Sequence, residues 1–183
     1  MVITIRKTNL EDLNGEGIPR DFAEVMRIFN EGITSGSGWY RFVPRRGPIT
    51  IGEIRDRWMP NADSGIGLVA ESDGRIVGSI AVIYDRESTA YEHRGHRKPG
   101  AIGEGVDIGS DFRGVFGALY VGLIGELERS SREARAIFPV EDLGAAAVLR
   151  ELGYWGNIVD HKPYSAIGLS GKGLEFSLPK RSW

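Results

Sequence analysis

The most informative segment of the chain is EGVDIGSDFRGVFGA, residues 104–118. Its first part, 104–109, is typical of a short strand, and a tight turn at Arg113-Gly114 leads directly into a helix. Small residues let the backbone approach a ligand, and the unpaired N–H groups of a first helical turn point at one spot. The helix dipole adds partial positive charge there, so the segment predicts an anion site suited to phosphate. A glycine-rich turn that binds nothing is the alternative, because short glycine patterns are common.

The elements around this stretch predict a mixed sheet. Asp73-Gly74 is a two-residue hairpin signal between two alternating apolar segments. In chain order, the predicted elements are strand 2–7, helix 19–33, a short helix after Thr50, strands 66–72, 75–84 and 104–109, helix 114–131, strand 135–138, helix 141–152, and weak strands near 157–167 and 173–178. The fold class is therefore α/β (α+β mixed), with six to seven strands in a central mixed sheet and helices on both faces. We expect a single domain over residues 1–183.

Composition excludes several classes of protein. The chain has no cysteine, which excludes disulfides, thiol catalysis and cysteine-ligated zinc. Its net charge of -2, from 23 basic and 25 acidic residues, argues against a nucleic-acid binder. No apolar run approaches the roughly 18 residues of a membrane span, and the N-terminus has no apolar core of a signal peptide. We therefore expect a cytoplasmic protein with no nucleic-acid and no membrane partner.

The order of elements and the turn together resemble the GCN5-related N-acetyltransferases (GNAT). Their signature at this turn is Arg/Gln-x-x-Gly-x-Gly/Ala, where backbone amides hold the pyrophosphate of coenzyme A. Arg113, Gly114 and Ala118 match its commonest form, Arg-Gly-x-Gly-x-Gly/Ala. Phe116 occupies the position of the second glycine of this signature, and Gly117 lies one residue after that position. The resemblance therefore implies that the pyrophosphate shares space with the Phe116 position.

Two further parts of the chain carry the resemblance. Residues 132–154 are similar to the family's second motif. In the N-terminal half, IFNEGITSGSGWY (28–40), Trp58 and AYEHRG (90–95) are most similar to the phosphinothricin-acetyltransferase group. The resemblance implies a GNAT-like fold and the transfer of an acetyl group from acetyl-coenzyme A to a primary amine of a small, amino-acid-like molecule. Direct attack in a ternary complex is expected, without a metal, and a homodimer stays open.

The resemblance also implies binding residues for both substrates. The expected contacts to coenzyme A are Val106, Ile108, Arg113, Gly114, Val115, Phe116, Gly117 and Ala118. The aromatic residues Trp39, Tyr40 and Phe42 belong to a loop that lines the acceptor pocket in relatives, with core packing or a dimer contact as the alternative.

Amine attack on a thioester requires a general base near the central strand. Glu104 is the candidate because it begins that strand. Strict counting against the similar group gives Gly103 instead, and Asp107, which points to the opposite face, is the other carboxylate. His93 and His96 in the basic loop offer a metal pair at i, i+3, but no third ligand is evident.

The leaving thiolate needs a proton, which many relatives supply from a tyrosine on the helix after the next strand. Leu149 stands at that place, so water, Tyr120 or Tyr154 is left as the acid. Two alternative functions therefore stay open. One is a catalytically weak module that keeps the fold and binds coenzyme A or a protein partner, and the other is a protein N-terminal or lysine acetyltransferase.

The glycines at 117, 122 and 125 interrupt a helix and cost about 1 kcal/mol each relative to alanine. We expect them to let that helix lie close to the sheet.

Overall fold

Seven strands of the described residues form one mixed sheet. The computed structural model describes residues 2–35, 47–53, 65–84, 100–106, 109–161 and 169–179. The elements are β1 (Thr4–Lys7), α1 (Arg20–Ser35), α2 (Ile51–Glu53), β2 (Ile66–Ser72), β3 (Arg75–Ile83), β4 (Gly100–Val106), α3 (Phe112–Ser130), β5 (Ala134–Pro139), α4 (Leu143–Glu151), β6 (Asn157–Asp160) and β7 (Lys172–Leu178). Their order is the one that the sequence predicts.

The strands lie in the order β1-β2-β3-β4-β5-β7-β6. Every neighbouring pair is antiparallel except β4 and β5, which run parallel and are joined by α3. The hairpin between β2 and β3 turns at Asp73 and Gly74, both with positive φ, as that dipeptide predicts. The sheet is thus two antiparallel halves that meet at one parallel junction.

Two helices cover opposite faces of the sheet where β3 and β4 pair. A Cβ at Gly105 of β4 would lie 2.6 Å from the ring of Phe29 in α1. A Cβ at Gly78 of β3 would lie 2.6 Å from the side chain of Val115 in α3. Glycine therefore lets both helices approach the strands closely.

The glycines of α3 do not share one purpose. A Cβ at Gly122 would lie 2.8 Å from Ile5 Cγ2 and 3.3 Å from Leu68 Cδ1, so this glycine allows close contact with the sheet. A Cβ at Gly117 would make only an ordinary 3.6 Å contact with Val148, and one at Gly125 would have nothing nearer than 3.9 Å. The expectation of a close approach is confirmed at Gly122 and is wrong at the other two.

An ion-pair network holds α1 against β1 and β2. The guanidinium of Arg6 donates to both carboxylate oxygens of Asp21, at 2.6 and 3.0 Å, and to Glu71 at 2.7 Å. The Asn9 N–H also donates to Asp21, at 2.6 Å. Burial raises the pKa of Asp21, but the hydrogen bonds from Arg6 and Asn9 outweigh it, and the pKa lies below its usual value.

Among the helices of the described residues, none is both long enough and apolar enough to cross a membrane.

Candidate active site

The sheet splits between β4 and β5. These strands pair at Gly100 with Ala134 and at Ala101 with Arg135, and the described strands pair no further. Beyond that point β4 stays with β3 as far as Val106, and β5 stays with β7 as far as Pro139. The two parted strands leave a wedge between their C-terminal halves, with one backbone edge on each side.

Helix α3 begins at the open end of this wedge. Asp111 is its N-cap residue, and the Asp111 side chain makes no capping hydrogen bond. The first helical bond runs from the Val115 N–H to the Asp111 carbonyl, at 2.9 Å. The amides of 112–114 precede that bond and therefore have no acceptor inside the helix. These amides and the helix dipole make the end of α3 attractive to an anion.

The predicted start of this helix, at Gly114, is wrong by two residues. The resemblance predicted a turn whose amides are available from Arg113 to Ala118, but residues 115–118 are already inside the helix. Their N–H groups point back along the helix toward carbonyls four residues earlier. Backbone donors for an anion are thereby limited to the residues before Val115.

Phe116 does not occupy the anion site. Its side chain is 0% exposed and lies in an aromatic cluster in the core. Its ring centroid is 5.0 Å from that of Phe112, 4.7 Å from that of Tyr120 and 5.9 Å from that of Phe138. The early helix start turns this side chain toward the sheet, and the expectation that a pyrophosphate shares space with the Phe116 position stays a prediction.

The two signature residues at the end of α3 behave differently. Arg113 is exposed, and its guanidinium forms an ion pair with Glu151, the last residue of α4. A Cβ at Gly114 would lie 2.5 Å from Oδ2 of Asp111. The carboxylate of Asp111 therefore occupies the space beside Gly114, and a side chain at position 114 would require this carboxylate to move.

The end of β4 contributes one side of the wedge. Val106 is buried, in register with Gly78 of β3. The Glu104 backbone lies opposite Ile80, one position beyond the pair of Gly103 with Ala81. The side chain of Glu104 lies outside the described part of the structure, as do Asp107 and Ile108.

Helix α4 carries no exposed acid at the place where relatives have tyrosine. Leu149 is 0% exposed and packs in the core. Tyr120 and Tyr154, the two tyrosines considered as acids, are also buried. Asp142 precedes α4 and accepts a hydrogen bond from the Ala145 N–H at 3.1 Å. Sequence reasoning missed this cap, although an aspartate just before a helical apolar pattern is its usual signal.

Two predicted groups fall outside the described residues. These are the aromatic residues Trp39, Tyr40 and Phe42 of the expected acceptor loop, and the loop histidines His93 and His96.

Comparison with known proteins gives a fold but no sequence family. No protein-family model and no curated protein matches the sequence. Solved structures match over nearly the whole chain. An N-acetyltransferase from Staphylococcus aureus Mu50 has a TM-score of 0.69 at 17% identity and covers 97% of this chain and 98% of that one. The chain has the GNAT fold.

Two other GNAT-fold structures show how widely the likeness extends. A phosphinothricin acetyltransferase from Sinorhizobium meliloti, in complex with AcCoA, has a TM-score of 0.71 at 16% identity, over 98% of this chain and 89% of that one. A ribosomal-protein-alanine N-acetyltransferase from Brucella melitensis has a TM-score of 0.66 at 18% identity, over 95% and 98%. The GNAT-like sheet with helices on both faces, expected from the sequence, is confirmed.

Proposed function

We propose that this protein transfers an acetyl group from acetyl-coenzyme A to a primary amine of a small, amino-acid-like molecule. The observation that carries the proposal is the wedge between β4 and β5, which opens at the start of α3. Pantetheine is a narrow chain with two amides, and a parted strand edge offers N–H and C=O groups to such a chain. The amides of 112–114 and the dipole of α3 suit the pyrophosphate that follows it.

The proposed chemistry is a direct transfer. Glu104 takes a proton from the substrate ammonium, and the freed nitrogen lone pair attacks the thioester carbonyl carbon. The attack forms a tetrahedral adduct, the carbon–sulfur bond then breaks, and the thiolate leaves and accepts a proton. The nitrogen loses its remaining extra proton to water and becomes the amide N–H. The chain has no cysteine, so no thiol of the protein carries the acetyl group between the two substrates. Water, Tyr120 or Tyr154 supplies the last proton, because Leu149 cannot.

The small-molecule acceptor rests on similarity. Two of the similar structures are phosphinothricin acetyltransferases, both with a TM-score of 0.71. Two others, with TM-scores of 0.66 and 0.68, are ribosomal-protein-alanine acetyltransferases. The fold therefore supports acyl transfer to an amine in either case, and a protein N-terminus or lysine remains the third candidate acceptor.

Two observations favour a second candidate, a module that keeps the fold with little or no turnover. The first is that α3 already encloses residues 115–118, which leaves fewer backbone donors for the pyrophosphate than the signature implies. The second is that Leu149 replaces the usual acid and is fully buried. Such a module would bind coenzyme A or a protein partner.

Release of free thiol from acetyl-coenzyme A separates these candidates. The purified protein is incubated with acetyl-coenzyme A and one of three acceptors: a panel of amino acids and small amines, a peptide with a free N-terminal alanine, or a peptide with an internal lysine. The proposal predicts thiol release that depends on a small amine. Release only with a peptide would favour the third candidate. Binding of coenzyme A without release for any acceptor would favour the module.

A further inference from the structure

Arg113 and Glu151 carry charges that their own helices disfavour. Arg113 is a cation in the first turn of α3, and Glu151 is an anion at the last residue of α4. A helix dipole favours the opposite arrangement at each end. The neighbouring residues Asp111 and Arg150 follow that rule. Helix stability therefore does not explain the charges of Arg113 and Glu151.

The packing of the two helices brings this pair together. A Cβ at Gly117 of α3 would lie 3.6 Å from Val148 of α4, and one at Gly144 of α4 would lie 3.9 Å from the ring of Phe112. The first turns of α3 thus lie along α4, and the guanidinium of Arg113 reaches the carboxylate of Glu151 at its end. Both side chains are more than half exposed, at 66% and 55%.

We propose that Glu151 is a positioning residue for the phosphate site: it holds Arg113 beside α4 and releases it to the pyrophosphate of coenzyme A. This inference rests on the proposed function. The backbone amide of Arg113 is one of the three amides of 112–114, so the guanidinium of the same residue lies within a side chain's reach of an anion bound there. A pyrophosphate carries more negative charge than one carboxylate, and Arg pairs well with phosphate oxygens in a bidentate manner. Glu151 therefore lowers the affinity for coenzyme A by competing for Arg113.

Calorimetry of coenzyme A binding to four forms of the full chain tests this competition. The forms are the wild type, Glu151→Gln, Arg113→Gln and the double variant. At about 20 mM salt, Glu151→Gln should tighten binding by about 2–5-fold, the range expected from breaking an exposed ion pair. Arg113→Gln should weaken binding by roughly 3–10-fold, as expected for losing a charge-assisted contact. In the Arg113→Gln background, Glu151→Gln should tighten binding by less than half as much, in free energy, as it does in the wild type, because no guanidinium is left to release.

Two controls make the result specific. Glu128→Gln removes the same charge from an exposed position near the other end of α3, and it should change the dissociation constant by less than about 1.3-fold. At about 500 mM salt the effect of Glu151→Gln should shrink, because exposed charges are screened. Dephospho-coenzyme A, which lacks the 3′-phosphate, should show the same tightening as coenzyme A.

Each contrary result has a distinct meaning. If coenzyme A binds and Glu151→Gln has no effect, the inference is overturned while the proposed function stands. Equal tightening with and without Arg113 also overturns it, since the carboxylate would then act on the ligand directly. Loss of the effect with dephospho-coenzyme A overturns the placement of Arg113 at the pyrophosphate. If the wild type binds no coenzyme A at millimolar concentration, the proposed function fails and this inference with it.

Discussion

Replacing Gly122 with alanine should leave the stability of the protein unchanged or lower it, whereas replacing Gly125 should raise it. Both glycines lie in α3, and alanine improves the helix propensity by about 1 kcal/mol at either position. At Gly122 the new methyl group would lie 2.8 Å from Ile5 Cγ2 and 3.3 Å from Leu68 Cδ1. Forcing a methyl group into a packed core costs about 1–3 kcal/mol, which equals or exceeds the gain. At Gly125 the nearest atom is the end of Arg129, 3.9 Å away, so the gain remains.

Denaturant unfolding of the two variants measures this difference. The free energy of unfolding should be higher by up to about 1 kcal/mol for Gly125→Ala, and unchanged or lower by up to about 2 kcal/mol for Gly122→Ala. A change of 1 kcal/mol corresponds to a shift in melting temperature of about 2–4 °C for a chain of this size. Equal stabilisation by both substitutions would mean that α3 does not lie in close contact with β1 and β2 at Gly122.

Three further predictions concern the base, the phosphate site and the ion pair of α1. Glu104→Gln should lower the acetylation rate at pH 7 by roughly 10²-fold while leaving coenzyme A binding intact, and this loss should shrink at high pH, where the amine is already deprotonated. Asp107→Asn is the control and should not change the rate; if rate assays show a loss for Asp107→Asn and none for Glu104→Gln, Asp107 is the base. Gly114→Val should weaken coenzyme A binding at least about tenfold in calorimetry, because its Cβ would lie 2.5 Å from the Asp111 carboxylate and would displace it at the end of α3 where the phosphate is proposed to bind. An unchanged affinity would place the pyrophosphate elsewhere. The pKa of Asp21 is depressed in the folded state, so its ion pair with Arg6 stabilises the protein above the unfolded pKa of about 3.9, and this stability is lost as pH falls below it. The difference in melting temperature between the wild type and Asp21→Asn should therefore stay constant from pH 7 to about pH 5 and narrow as pH falls below about 3.9; a gap that does not narrow there would contradict this.

The sequence predicted those parts of the fold that depend on local signals. Asp73-Gly74 set the hairpin, and both residues have the positive φ that this turn needs. Thr50 and Glu53 have the sequence spacing of a capping box at the start of the short helix α2, and the Glu53 N–H donates to Thr50 Oγ1 at 3.2 Å. Gly153 follows α4 with φ of 84°, as expected of a glycine that ends a helix. Each of these features is determined by residues within a few positions of one another.

The remaining features depend on contacts that are distant in sequence. The predicted start of α3 was wrong because Arg113-Gly114 has the composition of a turn, whereas the structure packs Phe112 and Phe116 into one aromatic cluster from the start of the helix. The partner of Arg113 is Glu151, 38 residues later, and no local pattern indicates it. The strand predicted at 104–109 instead begins at Gly100, because its register is set by pairing with β3.

A crystal structure of the protein with acetyl-coenzyme A would locate the cofactor site. The pantetheine should lie between β4 and β5, with the pyrophosphate oxygens within hydrogen-bond distance of the amides of 112–114. The guanidinium of Arg113 should turn from Glu151 to the pyrophosphate. Coenzyme A bound elsewhere, or absent at millimolar concentration, would mean that the wedge is not the cofactor site.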